Sequence, residues 1–144
     1  MNIAWVWVPL ISIGPFCFGE TIFQYKDLYQ LKLVSKGSEC VTEWDTYEVT
    51  GYDDAKIHCE NYKIVSVTCH QEFYYQGVNL IGKTLKEVCD VLKLSPDKYD
   101  DIIYINENPQ VPVEFDSVDL MLWCENEIVR SVSCYNDDEE EDST

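Results

Sequence analysis

The sequence predicts an α+β fold: two helix-plus-antiparallel-sheet units, tandem repeats packed as one pseudo-symmetric domain. Three observations predict it. The chain repeats itself, each copy carries a helix-start signal, and each copy ends in a paired apolar hairpin. At an offset of 63 to 65 residues, Gly14-Pro-Phe-Cys-Phe-Gly19-Glu-Thr21 aligns with Gly77-Val-Asn-Leu-Ile-Gly82-Lys-Thr84. Further on, Cys59-Glu60-Asn61 recurs as Cys124-Glu125-Asn126, and Ser66-Val67-Thr68-Cys69 as Ser131-Val132-Ser133-Cys134. Repeat one therefore covers about residues 10–69 and repeat two about 77–134, with a linker near 70–76, all within one domain over 1–136.

Each copy opens with a capping box, Thr21-x-x-Gln24 and Thr84-x-x-Glu87, whose Thr oxygen takes an orphan amide of the first turn. Apolar residues come next at helical spacing: Ile22, Tyr25, Leu28 and Tyr29, then Leu85, Val88, Cys89 and Leu92. The first helix is expected to stop near Ser35-Lys36-Gly37, the second before Ser95-Pro96-Asp97. A polar, acidic connection leads into each hairpin. With a three-residue loop at Asn61-Tyr62-Lys63, the strand period of two puts Ala55, Ile57, Cys59, Val65, Val67 and Cys69 on one face. The same register in repeat two groups Leu120, Leu122, Cys124, Val132 and Cys134, and leaves Arg130 as a misfit. Short strands at 3–8, 46–51, 72–76, 102–106 and 111–115 extend the sheets.

With 46 % apolar residues and 13 % aromatics, the chain can bury enough surface to offset ordering entropy. Ten basic residues against 27 acidic ones give a charge of −17, which repels nucleic acid and anionic membrane and favours a basic partner. Residues 137–144 form an acidic tail expected to be disordered. The seven cysteines are odd in number and lie mostly in apolar runs, which fits buried reduced thiols and a cytoplasmic protein. The apolar segment at residues 3–18 lacks a preceding basic residue and carries Pro9 and Pro15, so it reads as folded chain rather than a signal peptide or membrane span.

Gly77 to Thr84 satisfies the phosphate-loop pattern, with Lys83 and Thr84 at its functional positions. Its interior, however, is the bulky Val78, Leu80 and Ile81, and the sister segment keeps the frame with Glu20 in place of the lysine. The frame is therefore expected to serve folding, with nucleotide binding or hydrolysis through Lys83 and Thr84 as the alternative. No catalytic residue, metal ligand or cofactor is assigned: two histidines, no nucleophile signature and no metal-ligand spacing offer none. Adjacent carboxylates such as Asp53 and Asp54 are more simply a solvated face than a catalytic pair.

The equivalent connections of the two copies hold acids interleaved with aromatics: Glu43, Trp44, Asp45, Asp53 and Asp54 in one, Asp97, Tyr99, Asp100, Asp101 and Glu107 in the other. Gathered at one edge, they would form a partner-binding surface on which charge speeds encounter and rings anchor the complex. The competing reading is a solvated face with tyrosines over the core edge.

Ile13-Gly-Pro-Phe-Cys-Phe-Gly19, a helix, a Cys-Glu-Asn hairpin and Gly77-Val-Asn-Leu-Ile-Gly82 together resemble bacterial immunity proteins of polymorphic and contact-dependent growth-inhibition toxin systems, over most of residues 10–134. The resemblance implies an acidic cytoplasmic protein, not an enzyme, that binds a cognate basic toxin domain, such as a nuclease, and occludes its active site. It carries over no interface residues. A non-inhibitory adaptor or chaperone is the remaining alternative.

Overall fold

Alternation of apolar and polar residues governs more of this chain than helical spacing does. The computed structural model describes residues 3–36, 44–105 and 107–136, with 52–54 as backbone only. It is 51 % strand and 12 % helix.

The apolar amino-terminal run folds back on itself as β1 (Trp7–Val8), β2 (Ser12–Ile13) and β3 (Phe16–Cys17), a small antiparallel sheet. Gly14 sits at φ +59, where an added Cβ would stand 3.2 Å from the Ala4 carbonyl oxygen. Ile3, Trp5, Trp7, Ile13 and Phe16 are all buried. After the one-turn α1 (Phe23–Lys26) come β4 (Leu31–Ser35), β5 (Asp45–Val49), β6 (Tyr52–Glu60) and β7 (Lys63–Cys69). The second half opens with the hairpin β8 (Tyr74–Tyr75) and β9 (Val78–Asn79), then α2 (Leu85–Leu92). It continues through β10 (Lys98–Tyr99), β11 (Ile103–Ile105), β12 (Asn108–Phe115), β13 (Leu120–Glu125) and β14 (Ile128–Tyr135).

One nine-stranded antiparallel sheet dominates, in the order β10-β12-β13-β14-β7-β6-β5-β4, with β11 also paired to β12. The two hairpins meet in its middle, where Val132 faces Cys69 and Cys134 faces Val67. Ile57, Val67, Leu122 and Val132 point into a single core with Phe16, Phe73, Leu80 and Val88. Aromatic rings knit the cover together: Phe16 lies 5.2 Å from Tyr25 and 5.3 Å from Tyr29, and Trp7 lies 5.4 Å from Phe73.

These features correct the expected α+β architecture of capped helix-plus-hairpin repeats. The first helix is one turn, not a run to residue 35, and no side chain caps it. Thr21 instead bridges Lys63 as a strand would, and the Ile22 amide donates to the Tyr62 carbonyl. Ile22, Phe23, Tyr25 and Tyr29 are β-branched or aromatic and lose rotamer freedom in a helix, so sheet and ring contacts prevail. Leu28, placed on the buried helical face, is 61 % exposed. In the second half the Thr84–Glu87 capping box forms as expected, and α2 buries Val88.

The hairpin loops hold two residues, not three. Asn61 and Tyr62 both have positive φ, as do Asn126 and Glu127, the geometry that matches strand twist. Beyond each turn a bulge intervenes, because Cys59 pairs Ile64 while His58 pairs Ser66, and Cys124 pairs Val129 while Trp123 pairs Ser131. Val65 and Arg130 are the extra residues. The bulge explains the Arg130 misfit: its side chain leaves the core face and approaches Glu125 at 3.6 Å.

Urea denaturation tests this packing. Thr84→Ala should cost about 1 kcal/mol, whereas Thr21→Ala, which loses no cap, should stay within about 0.5 kcal/mol. Phe16→Ala should cost about 3–5 kcal/mol. Trp7→Phe should cost less than about 1 kcal/mol, because it removes a buried indole N–H that has no partner.

Candidate functional site

The capping box fixes where α2 begins, and its Val88 anchors it over the sheet. Beyond the helix no described residue covers the same face of the sheet. Leu85 and Cys89 of α2, Tyr99, Ile102, Pro109 and Val111 line an open groove of about 610 Å³ there, with Lys86, Asn126 and Glu127 at its rim. Cys124 and Val113 form its floor, continuous with the core. Apolar walls with few polar groups suit an apolar ligand or side chain.

Acids neighbour the groove residues along the chain. Asp100 Oδ1 lies 3.3 Å from Lys98 Nζ, and its carboxylate also takes a hydrogen bond from the Glu114 carboxyl. That bond lowers the Asp100 pKa and raises that of Glu114. Asp97 Oδ2 accepts the Asp116 amide at 2.7 Å, which gives this acid a structural duty. Asp101 and Glu107 are exposed, and Tyr99 is 60 % exposed at the groove wall.

The structure keeps Asp97, Tyr99, Asp100 and Asp101 beside the carboxyl half of β12, where the Asp97 amide donates to the Glu114 carbonyl and the Asp100 amide to that of Pro112. It sets Glu107 at the opposite end of that strand, before Asn108, and their counterparts elsewhere. Trp44 and Asp45 belong to the far end of the sheet, with five strands between β5 and β10. Trp44 packs its ring 5.9 Å from that of His58. Asp53 and Asp54 fall on β6, their side chains outside the described residues, and Glu43 lies outside them too. The expectation of one shared acidic edge is therefore corrected. Equivalent connections of an antiparallel pair of hairpins are carried to opposite ends of a common sheet. The acidic tail, residues 137–144, lies outside the described residues.

Sequence reasoning missed the groove residues Leu85, Cys89, Ile102, Pro109 and Val111 as a site. The run Ile102-Ile103-Tyr104-Ile105 was a signal, since four apolar residues at a sheet edge need a cover. Periodicity assigns them to a strand but not to a solvent-facing one.

The phosphate-loop frame is fully used in pairing. The Gly82 amide donates to the Val129 carbonyl at 2.8 Å, Lys83 to Leu80 at 3.3 Å and Leu85 to Glu127 at 2.9 Å. The Thr84 amide meets Glu87 Oε1 at 2.9 Å and the Glu87 amide meets Thr84 Oγ1 at 3.1 Å. None of these amides is turned toward a phosphate. Among the described residues no group of three or more His, Cys, Asp or Glu could hold a metal ion, and no helix is long and apolar enough to cross a membrane. The six described cysteines are free. Burial pushes the Cys59 and Cys69 thiols up to about 12 and Cys124 to about 11, far from thiolate reactivity.

On the opposite face of the sheet a polar row crosses five strands. Thr46 Oγ1 meets His58 Nδ1 at 3.0 Å, His58 Nε2 meets Thr68 Oγ1 at 3.2 Å, and Thr68 meets Ser133 Oγ at 2.9 Å. Trp123 Nε1 closes it by donating to Ser133 at 3.3 Å. Burial, and then the Lys56 charge, lower the His58 pKa to about 4.

No known protein family, curated protein or solved structure matches this chain.

The His58 shift gives a pH prediction. In the unfolded chain the imidazole titrates near 6.5, so between 6.5 and 4 the unfolded state binds more protons. Stability is therefore complete above pH 6.5 and is lost as pH falls toward 4, by up to about 3 kcal/mol. Urea melts at pH 7.5 and 4.5 should show a larger loss for the natural chain than for His58→Gln.

Proposed function

We propose that this chain is a non-enzymatic inhibitor that binds and neutralises a basic toxin domain in the bacterial cytoplasm, an immunity protein of the polymorphic or contact-dependent growth-inhibition kind. The observation that carries the reading is an open apolar groove whose lining residues have acids next to them in the chain, with Asp100 and Asp101 between Tyr99 and Ile102, Glu107 two residues before Pro109, and Glu127 in the lining itself. Apolar walls supply the buried contacts of an interface, and carboxylates around them select a cationic partner. The charge of −17 raises the encounter rate with such a partner at physiological salt. Carboxylates set against a nuclease's phosphate-binding residues would stand in for its substrate. The resemblance of the glycine-framed turns to those of immunity proteins points the same way, as do buried thiols suited to a reducing compartment.

Co-expression with the basic toxin domain encoded by the neighbouring gene is the test. A stoichiometric complex and restored growth are expected; arrested growth with no complex would overturn the proposal. Asp101→Asn with Glu107→Gln, both at exposed positions, should slow association about tenfold at low salt, with the difference vanishing near 0.5 M salt. Stopped-flow fluorescence reads both quantities.

A further inference from the structure

The border of the groove is also the open edge of the large sheet. Among the described residues β11 pairs on one side only, through Ile103 with Gln110, Tyr104 with Pro109 and Ile105 with Asn108. Ile105 and Asn108 close a two-residue connection, which makes them a hydrogen-bonded pair and Tyr104 with Pro109 a non-bonded one. Pro109, which has no N–H, fits that position. The N–H and C=O of Tyr104 consequently point away from β12, toward solvent. Side chains alternate in the same way: Ile102 and Tyr104 share the groove face with Pro109 and Val111, while Ile103 and Ile105 take the other.

Edge strands in natural proteins are usually blunted by charge, by proline or by a covering segment. β4, at the opposite edge, carries Lys32. β11 carries Ile, Tyr and Ile, at 43 %, 69 % and 38 % exposure, and none of these devices among the described residues. Charge appears at its flanks, with Asp100 and Asp101 before it and Glu107 after it, and the two lysines nearby are already held, Lys98 by Asp100 and Lys86 by Asp90. Like charge disfavours a second copy of this chain in that place. An extended segment whose own flanks are basic satisfies both the backbone groups and the carboxylates.

We infer that β11 captures an extended apolar segment of the partner, flanked by lysine or arginine, as an added strand whose alternate side chains enter the groove against Ile102, Pro109 and Val111. This rests on the proposed function only for the partner's positive charge. Main-chain hydrogen bonds give the affinity, the groove gives a preference for alternate apolar side chains, and the flanking acids select cationic ends.

The test uses the full ¹⁵N-labelled chain with the octapeptide Lys-Val-Lys-Val-Lys-Val-Lys-Val at low ionic strength, and Glu-Val-Glu-Val-Glu-Val-Glu-Val as control. Saturable amide shifts are expected over residues 99–111 and along α2, with hydrogen exchange at Tyr104 slowed at least tenfold and the acidic peptide bound at least tenfold more weakly. Tyr104→Pro, which removes the outward donor, should weaken binding at least tenfold, and Tyr104→Phe should leave it unchanged. Asp101→Lys with Glu107→Lys keeps the edge and should reverse the preference between the two peptides. Absence of shifts, shifts at β4, binding blind to charge, or shifts that grow with the chain's own concentration without peptide would each overturn the inference. Peptide capture without toxin neutralisation would fail only the functional proposal. A toxin complex that leaves Tyr104 exchange unchanged would fail only this inference.

Discussion

The pairing of β7 with β14 is the contact on which the rest of the molecule depends. Each hairpin alone offers a narrow apolar face that a two-stranded unit cannot keep dry. Joined edge to edge, they place Val67, Cys69, Val132 and Cys134 side by side, and one surface becomes wide enough to need a common cover. The small amino-terminal sheet, α1, the β8–β9 hairpin and α2 all pack on that surface. Loss of the seam would leave two partial cores and two more open strand edges, so the seam sets both stability and solubility.

Equivalent backbone bonds tie the covers to the sheet. The Gly19 amide reaches the Ile64 carbonyl as Gly82 reaches Val129, and the Ile64 amide returns to Glu20 as Val129 returns to Lys83. The halves differ in the segment just past the glycine turn. Leu85-Lys-Glu-Val-Cys-Asp-Val-Leu92 is composed mainly of good helix formers and makes two turns, whereas Ile22-Phe-Gln-Tyr makes one. The longer helix stands over the sheet and leaves the groove beside it.

Much of this was legible in the residues and some was not. The inward faces of both hairpins away from their turns, the second capping box and the structural duty of the Gly77–Thr84 frame follow from local rules of spacing and hydrogen-bond satisfaction. Next to the turns the bulges put Ile64 and Val129 inward, and Val65, expected there, is the extra residue. The extent of the first helix does not. Thr21 and Gln24 have the cap chemistry, but the Ile22 amide is taken by the distant Tyr62 carbonyl and the Gln24 amide by the Thr21 carbonyl. Nor does the edge that β11 presents, since strand order, rather than any local pattern, decides which strand is last. The same limit explains the acids. Asp45 and Asp100 occupy corresponding stretches of the repeat, and only the order of strands reveals that they look out from opposite ends.

The two hairpin turns hold a tyrosine and a glutamate where glycine would sit without strain: Tyr62 has φ 66 and Glu127 φ 65. A glycine there would relax the backbone and raise stability, so each turn forgoes stability to keep a particular side chain. Tyr62 uses its place to meet the Phe23 ring, 5.1 Å away, at the surface of the first half. Glu127 makes no such ring contact; its carbonyl takes the Leu85 amide at 2.9 Å, which ties the turn to the start of α2 beside the groove.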